Sequence, residues 1–286
     1  MIITYICPKC CRNLFKTGNQ LKCPVGHSYD ISSEGYVNLL LGNKRSGLHG
    51  DTKEMIRSRR RFLQLGLYFP IVDNLTRLIS GLAVPRSAFS LLDAGCGEGY
   101  YAGNLKSALT LNGLNCDIYG TDVSKDAVKS AAKQYKDIDF SVSSVNKLPF
   151  ADLQFDFLLS LFAPLAEQEF FRVLKKGGYL ITVSPGARHL WTLKEQIYDH
   201  PKENPPPSFK SSLFIESSRY SVSYNIFLPE NSIIRDLFDM TPYRYNTSES
   251  DYKRLSKLDS LTTEASFEFC IFKKYSDTGG NYVEIY

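Results

Sequence analysis

Residues 89–101, Phe-Ser-Leu-Leu-Asp-Ala-Gly-Cys-Gly-Glu-Gly-Tyr-Tyr, constrain the fold more than any other stretch of this 286-residue chain. A short apolar run ends in Asp93, and Gly95, Gly97 and Gly99 then alternate with other residues. The pattern reads as a buried strand that stops in a tight turn and opens a helix. Glycine lets the backbone take positive φ and lets a ligand approach with no Cβ between. Such a turn belongs at the C-terminal edge of an α/β sheet, where ligands sit.

The spacing separates two kinds of cofactor. A dinucleotide fingerprint is G-x-G-x-x-G over a pyrophosphate. Here the third glycine comes one residue early and an acid precedes the first. Asp93-x-Gly95-x-Gly97-x-Gly99 resembles the first motif of the class I S-adenosylmethionine methyltransferases, whose cofactor has no phosphate. The methionine end of that cofactor carries an ammonium, which an acid at a strand end can help hold. The bland alternative is a glycine-rich turn with no ligand.

Strand and helix patterns alternate along the chain after this turn. Cys116–Gly120 reads as the next strand, closed by Asp122, and Ser124 caps a helix with Ala127, Val128, Ala131, Ala132 and Tyr135 at helical spacing. An acid at the end of the second strand can accept both ribose hydroxyls. Asp139–Val142, Phe155–Leu161 and Tyr179–Val183 read as further strands, with Glu167–Leu174 helical. Ser143–Phe150 should lie near the adenine. Phe162-Ala-Pro164 comes after the fourth strand, where this class often places the base to be methylated. Tyr220–Leu228 and Phe267–Phe272 read as antiparallel strands that finish the sheet, with Asn231–Met240 helical between them. Such alternation implies an α/β, Rossmann-like fold: a seven-stranded, largely parallel sheet with helices on both faces. Arg188, His189 and Trp191 bring a cation, a titratable ring and a stacking surface to the same sheet edge as Asp93.

The chain begins with a different chemistry. Cys7-Pro-Lys-Cys10 is followed by Cys23-Pro-Val-Gly-His27, which gives C-x2-C and C-x3-H knuckles. Three thiolates and one imidazole suit tetrahedral zinc, and a full set of four protein ligands makes the site structural. Cys11 is adjacent to Cys10, so one of the two should point away, and the C-x2-C spacing favours Cys10 as the ligand. Seven cysteines, four of them near the N-terminus, read as metal ligands plus buried thiols in a reducing compartment. The expected organisation is a zinc-ribbon-like module at 1–42, a basic connector and helix at 43–75, and a methyltransferase domain at 76–286.

Charge is uneven along the chain. Residues 1–61 hold 11 Lys and Arg against 4 Asp and Glu, while the remainder holds 23 against 26. A helix expected from about Asp51 or Thr52 carries Arg57, Arg59, Arg60 and Arg61 on what reads as a cationic face. With Lys44, Arg45 and Arg188 these are the candidate contacts to an RNA or DNA backbone, since the arginine fork suits phosphate. The bland reading is a solvated face with one or two salt bridges. No apolar run approaches membrane length, and the start has no basic n-region or cleavage site, so a cytoplasmic protein with no membrane partner is expected.

Taken together these segments resemble the bacterial 23S ribosomal RNA guanine-N1 methyltransferases, the group that includes the tylosin-resistance methyltransferases. The matching stretches are Cys7-Pro-Lys-Cys10, Cys23-Pro-x-x-His27, Glu34-Gly-Tyr-Val-Asn-Leu-Leu40, Lys44-Arg-Ser46, Leu92–Tyr101, Asp122-Val-Ser-Lys125, Leu148-Pro-Phe150, Pro185-Gly-x-Arg-His-Leu190 and Met240-Thr-Pro242. The resemblance implies structural Zn2+ on Cys7, Cys10, Cys23 and His27. It implies S-adenosylmethionine contacts at Tyr68, Asp93, Gly95, Gly97, Glu98, Gly99, Tyr100, Asp122 and His189. It also implies a 23S rRNA hairpin as partner, a homodimer whose zinc modules help form an RNA cleft, and macrolide resistance. Of two subclasses, departures after Arg188 and the stretch Leu161–Leu165 lean to the tylosin type (rRNA position 748) over the type that modifies position 745. Guanine N1 must lose a proton, so a general base is needed, and His189 and Glu98 are the candidates, with Asp93 behind them. Two other readings are a small-molecule methyltransferase and a non-enzymatic zinc protein that binds RNA.

Overall fold

The computed structural model describes residues 4–41, 52–83 and 88–275. Lys44 and Arg45, and the expected boundary between 42 and 43, lie outside them. The N-terminal segment is a three-stranded antiparallel sheet of β1 (Phe15–Thr17), β2 (Gln20–Lys22) and β3 (Ser28–Asp30), followed by a two-residue strand β4 (Val37–Asn38). Two helices follow, α1 (Lys53–Gln64) and α2 (Phe69–Ala83). The alternating part runs β5 (Ala88–Ala94), α3 (Tyr100–Leu111), β6 (Asn115–Asp122), α4 (Lys125–Gln134), β7 (Asp139–Val142), β8 (Phe155–Leu161), α5 (Glu167–Val173) and β9 (Leu174–Pro185). The chain closes with α6 (Trp191–Ile197), β10 (Phe214–Leu228), α7 (Asn231–Asp239), α8 (Tyr243–Asn246), α9 (Glu249–Leu255) and β11 (Leu261–Lys274).

The large sheet has the order β10-β11-β9-β8-β5-β6-β7-β4. It is parallel from β9 to β4 and antiparallel at the β9–β11 and β11–β10 pairs. Seven of these strands are the expected ones. The eighth, β4, comes from the zinc module: Val37 and Asn38 pair with Ser141 and Val142, and Leu39 N–H donates to the Val142 carbonyl at 2.9 Å. Tyr5 adds a second attachment, its ring 4.9 Å from Phe150, with Ile6 N–H bonded to the Pro149 carbonyl. The ribbon thus covers an edge that would otherwise expose unpaired backbone.

Central strands β5 and β8 are buried along nearly their whole length, as a parallel strand covered on both faces should be. Asp156 and Ser90 are satisfied internally: Asp156 takes the Ser90 N–H at 3.0 Å and the Lys175 ammonium at 2.7 Å. Helix α1 starts where expected, with Thr52 as N-cap accepting from Met55 N–H and Glu54 in the first turn. It buries Met55, Ile56, Phe62 and Leu63.

The expected separation at 75/76 does not hold. That position falls inside α2, and Phe62, Leu63, Tyr68, Ile71 and Leu75 share one apolar core with the sheet residues Leu91, Phe157 and Phe267. Sequence composition marked a basic connector, but its apolar residues pack as part of the layer on the large sheet. Strands β10 and β11 are longer than the alternation implied, because they pair with each other beyond the end of β9.

Candidate functional site

The two candidate centres lie at different edges. In the ribbon, Cys7, Cys10, Cys23 and His27 bring one ligand atom each within 4.8 Å of all the others. Cys7 Sγ and Cys23 Sγ are both 3.5 Å from His27 Nδ1, and Cys10 Sγ is 3.6 Å from Cys23 Sγ. A zinc tetrahedron with Zn–S of about 2.3 Å and Zn–N of about 2.0–2.1 Å has edges of roughly 3.5–3.8 Å, so the donor set fits that ion. Cys11 points away: it is exposed, has φ of 56°, and its N–H closes the knuckle on the Cys7 carbonyl at 2.8 Å. Tyr29 Oη lies 3.2 Å from Cys7 Sγ, a partner that no spacing rule pointed to. Burial works to raise the Cys7 thiol, but hydrogen bonds from Tyr29 and from the Cys10 and Lys9 backbone outweigh it and bring it to about 6. A thiol ionised that readily suits a metal ligand.

The second centre is a cavity of about 750 Å³ at the C-terminal edge of the large sheet. Its floor is the turn between β5 and α3. Gly95 and Cys96 N–H both donate to the Thr121 carbonyl, at 2.8 and 3.0 Å, which ties the turn to the end of β6. Asp122 holds it from the other side, accepting from Gly97 N–H at 2.9 Å and from Ser124 N–H at 2.8 Å. Gly95 has φ of 90°, and a Cβ there would stand 2.5 Å from Ala163 Cβ, so the loop after β8 packs directly on the turn. Val123 and Ser144–Asn146 continue the wall past Asp122.

Of the expected cofactor residues, Tyr68, Gly95, Gly97, Glu98, Asp122 and His189 line this cavity. Asp93, Gly99 and Tyr100 do not. Gly99 is the N-cap of α3, Tyr100 is buried, and the ring that reaches the wall is that of the next residue, Tyr101. Asp93 sits just behind the turn, 1% exposed, and among the described residues neither of its carboxylate oxygens has a hydrogen-bond partner. Burial, and then the charge of Asp122, push its carboxyl up to about 7. Such a carboxylate calls for a cationic partner, and a cofactor ammonium at the turn, direct or through a water, fits that need.

His189 is fixed by both ring nitrogens. Nδ1 accepts from Ser266 N–H at 3.2 Å, and Nε2 lies 3.3 Å from Tyr68 Oη. Burial, with the nearby Lys194 charge, lowers its pKa to about 3. The ring is therefore neutral with its proton on Nε2, which donates to Tyr68 Oη and leaves the phenol O–H free to donate. Glu98 differs: burial raises it to about 7 against the pull of Arg60 and Arg59, and Arg60 Nε is 3.7 Å away. Of the two base candidates only Glu98 would change protonation near neutral pH.

The arginines of α1 do not form one outward face. Arg61 forks onto Asp236, with Nε at 2.7 Å, and Arg60 bonds Ser130 at 2.9 Å and Gln134. Arg59 lines the cavity. Arg57 is exposed, and Arg188 stacks on the Trp191 ring at 4.3 Å outside the cavity. The roof comes from residues far apart in sequence: Met55, Arg59 and Leu63 from α1, and Met240–Tyr243 and Tyr245 from the other side of α7. Phe162, 43% exposed, and Tyr101 stand in the wall with ring centroids 6.1 Å apart. Trp191, expected to bring a stacking surface to this edge, is not part of it. No spacing pattern in the sequence pairs α1 with Tyr243 and Tyr245, because their meeting depends on α7 docking beside α1.

Comparison with known proteins agrees with this geometry. Residues 85–239 match the family model described as "Methyltransferase domain", and residues 5–47 match a zinc-ribbon model described as "RlmA, N-terminal". The 23S rRNA (guanine(748)-N(1))-methyltransferase of Streptomyces fradiae is 31% identical over 68% of this chain and 69% of its own length. YxjB of Bacillus subtilis (strain 168), provisionally named for 23S rRNA guanine-N1 methylation, is 29% identical over 94% of this chain and 96% of its own. Among solved structures, the YcgJ protein from Bacillus subtilis has 17% identity and a TM-score of 0.45, covering 70% of this chain and 98% of that one. The methyl donor is S-adenosylmethionine, and zinc is a structural ion of the ribbon. The similarity runs from the ribbon through the methyltransferase sheet, and the chain belongs to the 23S rRNA (guanine-N1)-methyltransferase family.

Proposed function

We propose that the protein methylates N1 of a guanine in a hairpin of 23S rRNA, at position 748 as in the tylosin-type subclass. The observation that carries this reading is one chain holding both a Cys3His tetrahedron docked on the sheet edge and a cofactor-sized cavity at the glycine turn. The Streptomyces fradiae relative, whose name specifies position 748, supports the subclass.

S-adenosylmethionine supplies an electrophilic methyl group, so the chain's own task is alignment, an effect that can contribute roughly 7–11 kcal/mol. Asp122 and the Gly95–Gly97 backbone hold the adenosine side, and Asp93, Tyr68 and His189 hold the methionine side. The guanine leaves its stack and lies against Phe162 and Tyr101. Glu98, whose carboxyl titrates at about 7, takes the N1 proton, directly or through a water. Cys7, Cys10, Cys23 and His27 hold the zinc and keep the ribbon folded. Arg57 and Arg188, exposed outside the cavity, contact the RNA backbone, and Lys44 and Arg45 join them in the same role. The same reading includes a homodimer in the cytoplasm and protection of the ribosome from macrolides.

The test is direct. The protein is incubated with methyl-labelled cofactor and unmodified 23S rRNA, the RNA is digested, and the modified site is mapped by primer extension. Label in 1-methylguanosine and a stop at 748 are expected. A stop at 745 would move the chain to the other subclass. Label only in a metabolite extract would make it a small-molecule methyltransferase, and RNA binding with no label would leave a zinc RNA-binding protein.

A further inference from the structure

The methionine head of S-adenosylmethionine is a zwitterion, with an ammonium and a carboxylate on one carbon. A site that takes this head out of water has to answer both charges, because an ionised group removed from water without a partner is costly. The acid for the ammonium is at hand in Asp93. The cation for the carboxylate was not legible in the sequence. Among the described residues lining the cavity, the arginines are Arg59 and Arg219, and no lysine is present. Arg219 stands on β10, four strands across the sheet from β5 and its glycine turn, and forks onto Glu216 at 2.9 and 2.7 Å. Tyr68 and His189 bring no charge, since burial keeps the phenol protonated and the Ser266 N–H needs a bare Nδ1.

Arg59 reaches over the glycine turn. Its Nη1 stands 3.7 Å from where a Cβ on Gly97 would be, and its Nη2 donates to the Met240 carbonyl at 3.4 Å, which steadies the fork beneath the roof. Tyr101, which lines the same cavity, feels both charges the zwitterion needs. Burial dominates its phenol and, with Tyr100, pushes it up, while the Arg59 and Asp93 charges act on it with opposite signs. We propose that Arg59 is the carboxylate anchor of the cofactor, its guanidinium donating to the methionine carboxylate with the Tyr68 phenol, itself held by His189 Nε2–H, as a neutral donor. This rests on the reading that the cavity takes S-adenosylmethionine, and it moves Arg59 from the RNA-facing set to the cofactor set. Arginine suits the task because its planar fork matches a carboxylate.

The test uses the full zinc-loaded chain and two probes titrated calorimetrically. S-adenosylhomocysteine carries the amino-acid head, and 5′-methylthioadenosine keeps the adenosine and thioether but lacks it. Arg59→Gln should weaken S-adenosylhomocysteine about 10- to 100-fold, the range for a lost charge-assisted bond. It should leave 5′-methylthioadenosine within about 2-fold, and Arg59→Lys should fall between. Equal weakening of both probes would overturn the assignment as an effect on the roof. Intact S-adenosylhomocysteine affinity with reduced RNA affinity would overturn it in favour of a phosphate contact. A wild-type protein that bound neither probe would instead overturn the cofactor reading of the cavity.

Discussion

Asp93 carries a charge that the unliganded fold works against. An unfolded aspartate titrates near 3.9, and the folded carboxyl is raised to about 7. Between those values the folded chain binds more protons than the unfolded one, so stability of the unliganded protein falls as pH rises from about 4 to about 7 and is level above. The three-unit gap bounds the effect at about 4 kcal/mol. Glu98 adds a slope of the same sign, since burial raises it to about 7 as well. Asp93→Asn should flatten part of this dependence and raise the Tm of the unliganded protein at pH 8. It should also weaken S-adenosylhomocysteine at that pH, because the ionised acid is what the ammonium needs. Identical Tm-versus-pH curves for wild type and variant would show that Asp93 is not the strained group.

Gly95 is the other residue whose chemistry is dictated locally. Its φ of 90° is costly for any L side chain, by about 1–2 kcal/mol, and a Cβ would press on Ala163 at 2.5 Å. Gly95→Ala is expected to displace the loop that carries Phe162 and to cut S-adenosylhomocysteine affinity by about 10-fold or more, measured by calorimetry, with the fold retained by circular dichroism. Both residues were readable from the sequence, because a strand-ending acid and a positive-φ glycine are local requirements. The neutral state of His189 was not. It comes from burial and the Lys194 charge, and its tautomer is set by Ser266, 77 residues away, donating to Nδ1.

At the scale of elements, the ribbon and the cavity are separable in composition but joined in hydrogen bonding. The four ligands build a core too small to stand alone, with Leu14, Leu21, Val37 and Leu39 as its apolar residues. Metal binding therefore supplies much of its folding energy. Chelation should unfold residues 4–41, seen as loss of hydrogen-exchange protection there. The cavity wall comes from Met55 onward, so S-adenosylhomocysteine affinity should fall by less than about 10-fold. Loss of cofactor binding at the same chelator concentration would mean that β4 supports the adenine wall through its pairing with β7. That pairing was not foreseeable. Val37-Asn38 is two residues long, far below the length at which alternation declares a strand. Helix α1 shows the converse: its cap and apolar spacing fixed its start, while the destinations of its arginines were set by α4 and α7.

For the whole molecule, the basic excess of residues 1–61 is only partly available to RNA. Arg60 and Arg61 are held by Ser130, Gln134 and Asp236. Arg57 and the Arg188–Trp191 stack remain outside, and each should contribute one backbone contact. Arg57→Ala and Arg188→Ala are each expected to lower the salt slope of 23S rRNA hairpin binding by about 0.7–0.9. Both should leave S-adenosylhomocysteine affinity unchanged. A salt slope equal to wild type in both variants would place the RNA on another surface.

The sequence by itself determined the elements whose signals are short in range: the ligand spacing of Cys7, Cys10, Cys23 and His27, the glycine turn after Asp93, the acid closing β6, and the alternation of strand and helix. Each stems from what a few consecutive residues must do to their own backbone or to one ion. Only the tertiary structure decided which partners those elements acquire. It placed the ribbon on the β7 edge, turned Arg59 inward beneath Met240, closed the roof with Tyr243 and Tyr245, and left Asp93 buried with no hydrogen-bond partner among the described residues. The physical reason is range. Charge and hydrogen-bond pairing in a folded chain go to whatever packing brings near, and no periodicity in the sequence records a neighbour nearly 200 positions away.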